Sequence, residues 1–292
     1  MATPTAYVSI GDTHIGCKLG LTPPESVIDF GVPVGQSPGT RWVWENVWRP
    51  FWDEFVPWAT GGQPFVLCHG GDIVDGVRHR STTQMTQDLD AQERMALAVM
   101  RPEVDNAAAY FQLAGTDAHD GQSWANARRI GRELGSPENV DGDPLFPELR
   151  IMIGDALVHD THHVSTTGLH KSMTTGITSD AIEQFITAAK AGERCPDVFL
   201  RHHCHHASRS GGYLDDPCHW WQAMSVPGWQ LKGPYPWKVG ARNHLTHFGG
   251  VVVRWVTTPW GRGHAELVPF TRSAGASRPI ILGGEHEFAA DQ

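Results

Sequence analysis

Five short apolar runs in this chain each stop at glycine, aspartate or histidine, and that recurrence limits the fold more than any other feature. AYVSI (6–10) is followed by Gly11, Asp12, Thr13 and His14. PFVLCHGGDIVDG (64–76) delivers Gly71 and Asp72, with Asp75 three residues on. AYFQLAG (109–115) runs into Thr116, Asp117, Ala118, His119 and Asp120. ALVHDTHH (156–163) carries His159, Asp160, His162 and His163, and DVFLRHHCHH (197–206) ends in His202, His203, Cys204, His205 and His206. Runs of this length and composition read as strands. Helical patterns lie between them at 41–58, 88–108, 121–134 and 179–192. Alternating strands and helices argue an α/β sandwich, and open α/β sheets build their sites at the C-terminal ends of strands. With 17 histidines, a few would reach strand ends by chance; carboxylate and histidine together at five successive ends would not.

Local signals add detail. Pro50 must kink or split the helix over 41–58, and Pro102 interrupts the one over 88–108. Ser179 reads as a helix cap and Gly192 as a helix end. LRIMIGD and ALVHDTHH form a hairpin turning near Gly154 and Asp155, and 251–257 and 265–270 close the chain as strands. There is no internal repeat and no linker, so one domain over 1–292 is expected, with long Pro/Trp-rich loops at 16–40 and 208–248. The net charge of −9 argues against a duplex-DNA binder. Five cysteines without regular spacing make a poor disulfide framework and suggest a reducing cytoplasm. The start has no basic segment leading into an apolar one, and no apolar run reaches the roughly 18 residues of a membrane span.

Aspartate oxygen and imidazole nitrogen together suit borderline divalent metals such as zinc, manganese and iron. Residues one apart in an extended segment point to the same side. Asp12 with His14, and His203 with His205, are therefore expected to present ligand pairs to one cavity, with Asp72 best placed to bridge two ions. Two ions about 3.5–4 Å apart clamp the attacking and leaving oxygens of a phosphoryl displacement. A local zinc module built on Cys195, Cys204 and Cys218 is disfavoured, because no closely spaced cysteine pair exists.

In this order the blocks resemble those of the calcineurin-like metallophosphoesterases, in a bacteriophage-type form. The family's D-x-H appears as Asp12-Thr13-His14, its G-D-x-x-D as Gly71 to Asp75, its lone histidine as His162-His163, and its G-H-x-H as His202-His203-Cys204-His205. The resemblance runs from residue 6 to about 206 and implies a four-layer α/β/β/α sandwich with mixed sheets. It implies two divalent ions (Mn, Zn or Fe). Asp12, His14 and His205 would hold the first, and His162 (or His163) and His203 the second, with Asp72 between them. His119 would be the catalytic histidine, acting as proton donor or transition-state stabiliser. Asp75 reads as a structural hydrogen bond in its turn, and His159 as structural on the opposite face.

Two departures stand out. The third block lacks the family's Asn–His pair. Asp117 leads as the replacement ligand because a carboxylate is the better donor; Thr116 or an open position are the alternatives. The fifth block has His202 where the family has glycine. The implied activity is a metal-dependent phosphoric ester hydrolase acting on phosphodiesters, nucleotides or single-stranded nucleic acid. Trp220, Trp221, Trp229 and Trp237 are candidates for base stacking, although core packing suits most of them better. The alternative is a catalytically degenerate metal-binding scaffold. The expected location is cytoplasmic, in the host cytoplasm if the chain is phage-encoded.

Overall fold

A computed structural model describes residues 4–77, 82–163, 173–213, 220–233, 246–257 and 263–274. In chain order the strands are β1 (Ala6–Ile10), β2 (Ser26–Val27), β3 (Pro33–Val34), β4 (Phe65–His69), β5 (Ala109–Leu113), β6 (Leu145–Phe146) and β7 (Leu149–Ile153). They continue as β8 (Ala156–Thr161), β9 (Val198–Arg201), β10 (Ser208–Tyr213), β11 (Trp220–Ser225), β12 (His247–Thr257) and β13 (Gly263–Ser273). The helices are α1 (Pro38–Val43), α2 (Val56–Thr60), α3 (Leu89–Asp105), α4 (Ala125–Glu133) and α5 (Met173–Ala191).

One sheet has the order β13-β12-β1-β4-β5-β6 and the other β10-β11-β9-β8-β7. Both are mixed. β1, β4, β5 and β6 run parallel, and so do β8, β9 and β11, while β12, β13, β7 and β10 pair antiparallel at the margins.

Side-chain alternation divides the layers. On β1, Ala6, Val8 and Ile10 face a core shared with Trp48, Phe51, Met95 and Ile130 of the helical layer. Tyr7, between them, faces the second core, where Val66 and Leu113 of the first sheet meet Val158, Val198 and Met224 of the second. The outer face of the second sheet packs Phe199, Trp221 and Ala223 against Ile177, Ala181 and Phe185 of α5. Helix, sheet, sheet and helix give the four-layer α/β/β/α sandwich that the resemblance implies. No described helix is long and apolar enough to cross a membrane.

Several local expectations change. The stretch around Pro50 stays helical, with π-helical turns at Trp44–Trp48 and Phe51–Phe55 on either side. Widening the turn accommodates the ring and the missing N–H without a break. α3 runs through Pro102, which sits in its last turns where few bonds remain to be lost. Ser179 lies inside α5, which is described over Met173–Ala191, rather than at its cap. The region expected as a long loop at 208–248 contains β10 and β11, and 16–40 contains the β2–β3 hairpin. β11 owes its place to non-local pairing with β9, which local sequence does not announce.

Candidate metal centre

The C-terminal ends of β1, β4, β8 and β9 converge, and backbone hydrogen bonds lace them together. Asp12 N donates to Gly71 O (3.0 Å), His14 N to Asp72 O (3.1 Å) and His202 N to His162 O (3.1 Å). His203 N donates to the Asp12 carboxylate at 2.9 Å. The ligand-type residues do not alternate along extended chain, as their spacing suggests. Asp12 (φ 55), His14 (φ 44), Asp72 (φ 52), His203 (φ 70) and His205 (φ 52) all occupy the left-handed region. Each such non-glycine residue costs about 1–3 kcal/mol, and clustering of this kind marks functional sites.

Ligand-type atoms no more than 4.8 Å apart form four overlapping groups among the described residues. They are Asp12, His14 and His205; Asp12, Asp72, His162 and His203; His162, His163 and His203; and His14, Asp72 and His119. His14 Nε2 lies 3.0 Å from His205 Nε2. Asp12 Oδ1 is 3.3 Å from His205 Nε2 and 3.9 Å from His14 Nε2. Asp72 Oδ2 is 3.3 Å from His162 Nε2 and 4.0 Å from His203 Nδ1. Ligands about 2.0–2.2 Å from one cation stand roughly 3–3.5 Å from each other, a spacing that the 3.0 and 3.3 Å pairs meet and the 3.9 and 4.0 Å pairs exceed. Asp12 Oδ1 and His162 Nε2 are buried without a hydrogen-bond partner, as donor atoms awaiting a cation would be. His162 Nδ1 donates to Gly70 O at 2.7 Å, which leaves Nε2 to face Asp72.

The electrostatics agree. Asp12, Asp72, Asp75 and Asp120 are all buried. Burial works against the charge on Asp72, yet the imidazolium of His162 holds its carboxyl well below the usual range. His162 answers: burial opposes its proton, but Asp72 and then Asp12 lift its pKa to about 10. Asp120 is pushed up to about 8 by burial and by Asp72. Crowded buried carboxylates need positive charge, which protons on histidines or a bound cation can provide.

The third block departs from its expected role. Asp117 is exposed on a turn closed by His119 N and Asp120 N on Thr116 O, and it joins none of the ligand groups. That turn directs its carboxylate outward. Thr116 is inside instead, donating from both N–H (2.6 Å) and hydroxyl (2.9 Å) to Asp72 Oδ1. His119 is buried, with Nε2 4.0 Å from Asp72 Oδ2 and Nδ1 3.0 Å from the Asp75 carbonyl oxygen. The Asp75 carboxylate lies 3.7 Å from both His14 Nδ1 and His119 Nδ1, near enough to favour positive charge on either ring.

Sequence reasoning missed two braces. Asp120 accepts from the backbone N–H groups of Gly115, Asp72 and Ile73. His202, which stands where the family has glycine, is fully buried. Its Nε2 lies 3.0 Å from Asp160 Oδ1, and Asp160 Oδ2 accepts from Tyr7 (2.8 Å) and Ser9 (2.7 Å). A Cβ on Gly70 would stand 2.1 Å from the His202 ring, and one on Gly11 2.5 Å. These two glycines therefore make the space that a histidine in the fifth block requires. His159 lies away from the centre against Arg201 and Glu148, as its spacing suggests. Of the tryptophan candidates, Trp221 and Trp229 are core residues, Trp220 packs on Tyr213, and Trp237 lies outside the described residues.

No family model matches the chain, and no curated protein matches it. Solved structures do align over most of its length. Vps29 from Chaetomium thermophilum is 10% identical over 94% of this chain and 100% of that one, with a TM-score of 0.38. The Thermotoga maritima protein TM1076 is 9% identical over 91% and 99%, with a TM-score of 0.32. At these scores the likeness adds nothing to the reading of the site, which rests on its own residues.

Proposed function

We propose that the protein is a metal-dependent phosphoesterase that uses two divalent ions (Mn, Zn or Fe) and acts on phosphodiesters of nucleotides or single-stranded nucleic acid. The observation that carries this reading is the meeting of Asp12, His14, Asp72, His162, His203 and His205 from four strand ends, with buried donor atoms left unpartnered. Asp12, His14 and His205 would hold one ion, and Asp72, His162 and His203 the other. Bound ions of this kind supply a water of lowered pKa and offset the negative charge on phosphate.

The chain's own residues do the rest. Thr116 engages Asp72 Oδ1 and so turns Oδ2 toward His162 and His203. The Asp75 carbonyl accepts from His119 Nδ1, which leaves the Nε2 edge on the side of Asp72. From there His119 gives a proton to the departing alcohol oxygen as water takes the phosphoryl group. The test is hydrolysis of bis-p-nitrophenyl phosphate with added manganese. Turnover in the wild type and none in the Asp12→Ala/Asp72→Ala double variant is expected; activity that survives both substitutions sinks the reading.

A second reading is favoured by the third block, which lacks the Asn ligand and whose Asp117 is exposed: a scaffold that binds metal without catalysis. It predicts bound metal and no turnover on any mono- or diester.

A further inference from the structure

We propose that Trp124 forms the aromatic wall of the substrate pocket and selects phosphoesters that carry a planar aromatic ring, nucleosides among them. The proposal rests on the phosphoesterase reading and names the substrate class for the same site.

Trp124 follows the third strand end and caps the start of α4. Its indole N–H donates to the Gly115 carbonyl at 2.9 Å. The next residue, Thr116, bonds Asp72 Oδ1 through both its N–H and its hydroxyl. The indole edge is thus fastened one residue from a group that grips the central carboxylate. The ring is not consumed by the core, for Trp124 is 36% exposed while Trp48 and Trp229 are 1% and 0%.

The backbone beneath it is unusual. Gly121 (φ 84), Ser123 (φ 55) and Trp124 (φ 55) all lie in the left-handed region. A bulky aromatic residue enters that region only where its surroundings force it. Here Trp124 N donates to Gly121 O (2.8 Å), Asn126 N to Asp120 O (3.0 Å) and Arg128 Nη1 to Ser123 O (2.8 Å). The turn therefore holds a large apolar ring partly in water, although burial would stabilise it more. A planar π-face whose edge is bonded at Gly115, next to the residue that holds Asp72, would stack on other planar rings with little regard for their identity. Trp220 and Trp221, candidates for stacking in the sequence, belong to β11 in the second sheet.

Two non-hydrolysable probes that differ only in the ring test this: phenylphosphonate and methylphosphonate, each titrated calorimetrically into manganese-loaded protein. The wild type should bind phenylphosphonate about tenfold more tightly. Trp124→Leu should bring the ratio close to one, and Trp124→Phe should keep most of the preference. A wild type without preference, or a Trp124→Leu variant that retains it, overturns the proposal while methylphosphonate binding still supports the metal centre. Failure of the wild type to bind either probe overturns both readings. If Trp124→Leu does not fold, the wild-type ratio and the Trp124→Phe ratio decide.

Discussion

The aromatic layer under β1 and the strand ends beside it share loops, yet they are built on opposite terms. In the layer, Trp48, Phe51, Phe55, Trp229 and Phe270 pack ring against ring at 4.9–5.6 Å, and Trp48 through Phe55 belong to one helical stretch. At the strand ends, five residues of ligand type sit on left-handed backbone around buried carboxylates. One region gains stability from apolar burial, while the other stores strain and charge. They meet at Trp229, whose ring is in the layer and whose backbone N–H donates to Asp12 O at 3.0 Å. The lesson is that a strained, charged site is held because a well-packed neighbour over-determines its backbone.

Removing that neighbour is the harshest way to break the contrast. Trp229→Ala should lower stability by about 4 kcal/mol in urea denaturation and weaken metal uptake as well. A loss of stability with metal affinity untouched would separate the two regions. His202→Gly comes next, at about 3 kcal/mol, because Asp160 loses its imidazole partner and a cavity opens between Gly11 and Gly70. Metal affinity should fall with it, since His202 anchors the turn that carries His203 and His205. Unchanged affinity in calorimetry would make the buried pair a packing element alone.

His203→Gly should reverse the sign. Its imidazole is 47% exposed and its φ is 70, so metal-free protein should gain about 1 kcal/mol while the metal-induced rise in Tm shrinks. A less stable metal-free variant would argue against stored strain. The smallest effect lies outside both regions. Burial, and then Asp53, raise the Glu103 carboxyl to about 7. A carboxyl raised above its unfolded value, near 4.3, adds stability below that pH and loses it as pH climbs through the folded value. Glu103→Gln should therefore raise Tm at pH 8 and leave it unchanged at pH 4; a fall in Tm at pH 8 would mean that the fold lowers this carboxyl's pKa rather than raising it.

The strand ends were legible in the sequence because apolar runs that stop at Gly, Asp or His carry both the fold and its chemistry within a few residues. The pairing of Asp12 with His14 and of His203 with His205 was legible too, although the reason was not. Alternation presumes extended chain, and a left-handed φ leaves no mark on residue type when the residue is Asp or His. Asp117 was preferred over Thr116 on donor strength, but the turn that points one outward and the other to Asp72 depends on Asp120 gripping three distant N–H groups. The burial of His202 shows only once Gly11 and Gly70 are placed around it. β10 and β11 are hidden because Gly-rich and Trp-rich segments become strands there by pairing with each other and, for β11, with β9.

Metal content tests the central claim most directly. Protein loaded with manganese or zinc, desalted and analysed by mass spectrometry for metal, should carry about two ions per chain. Asp72→Ala should lose most of that metal, whereas Asp117→Ala should keep it. A wild type without metal, or an Asp72→Ala variant that retains the full complement, would contradict the account.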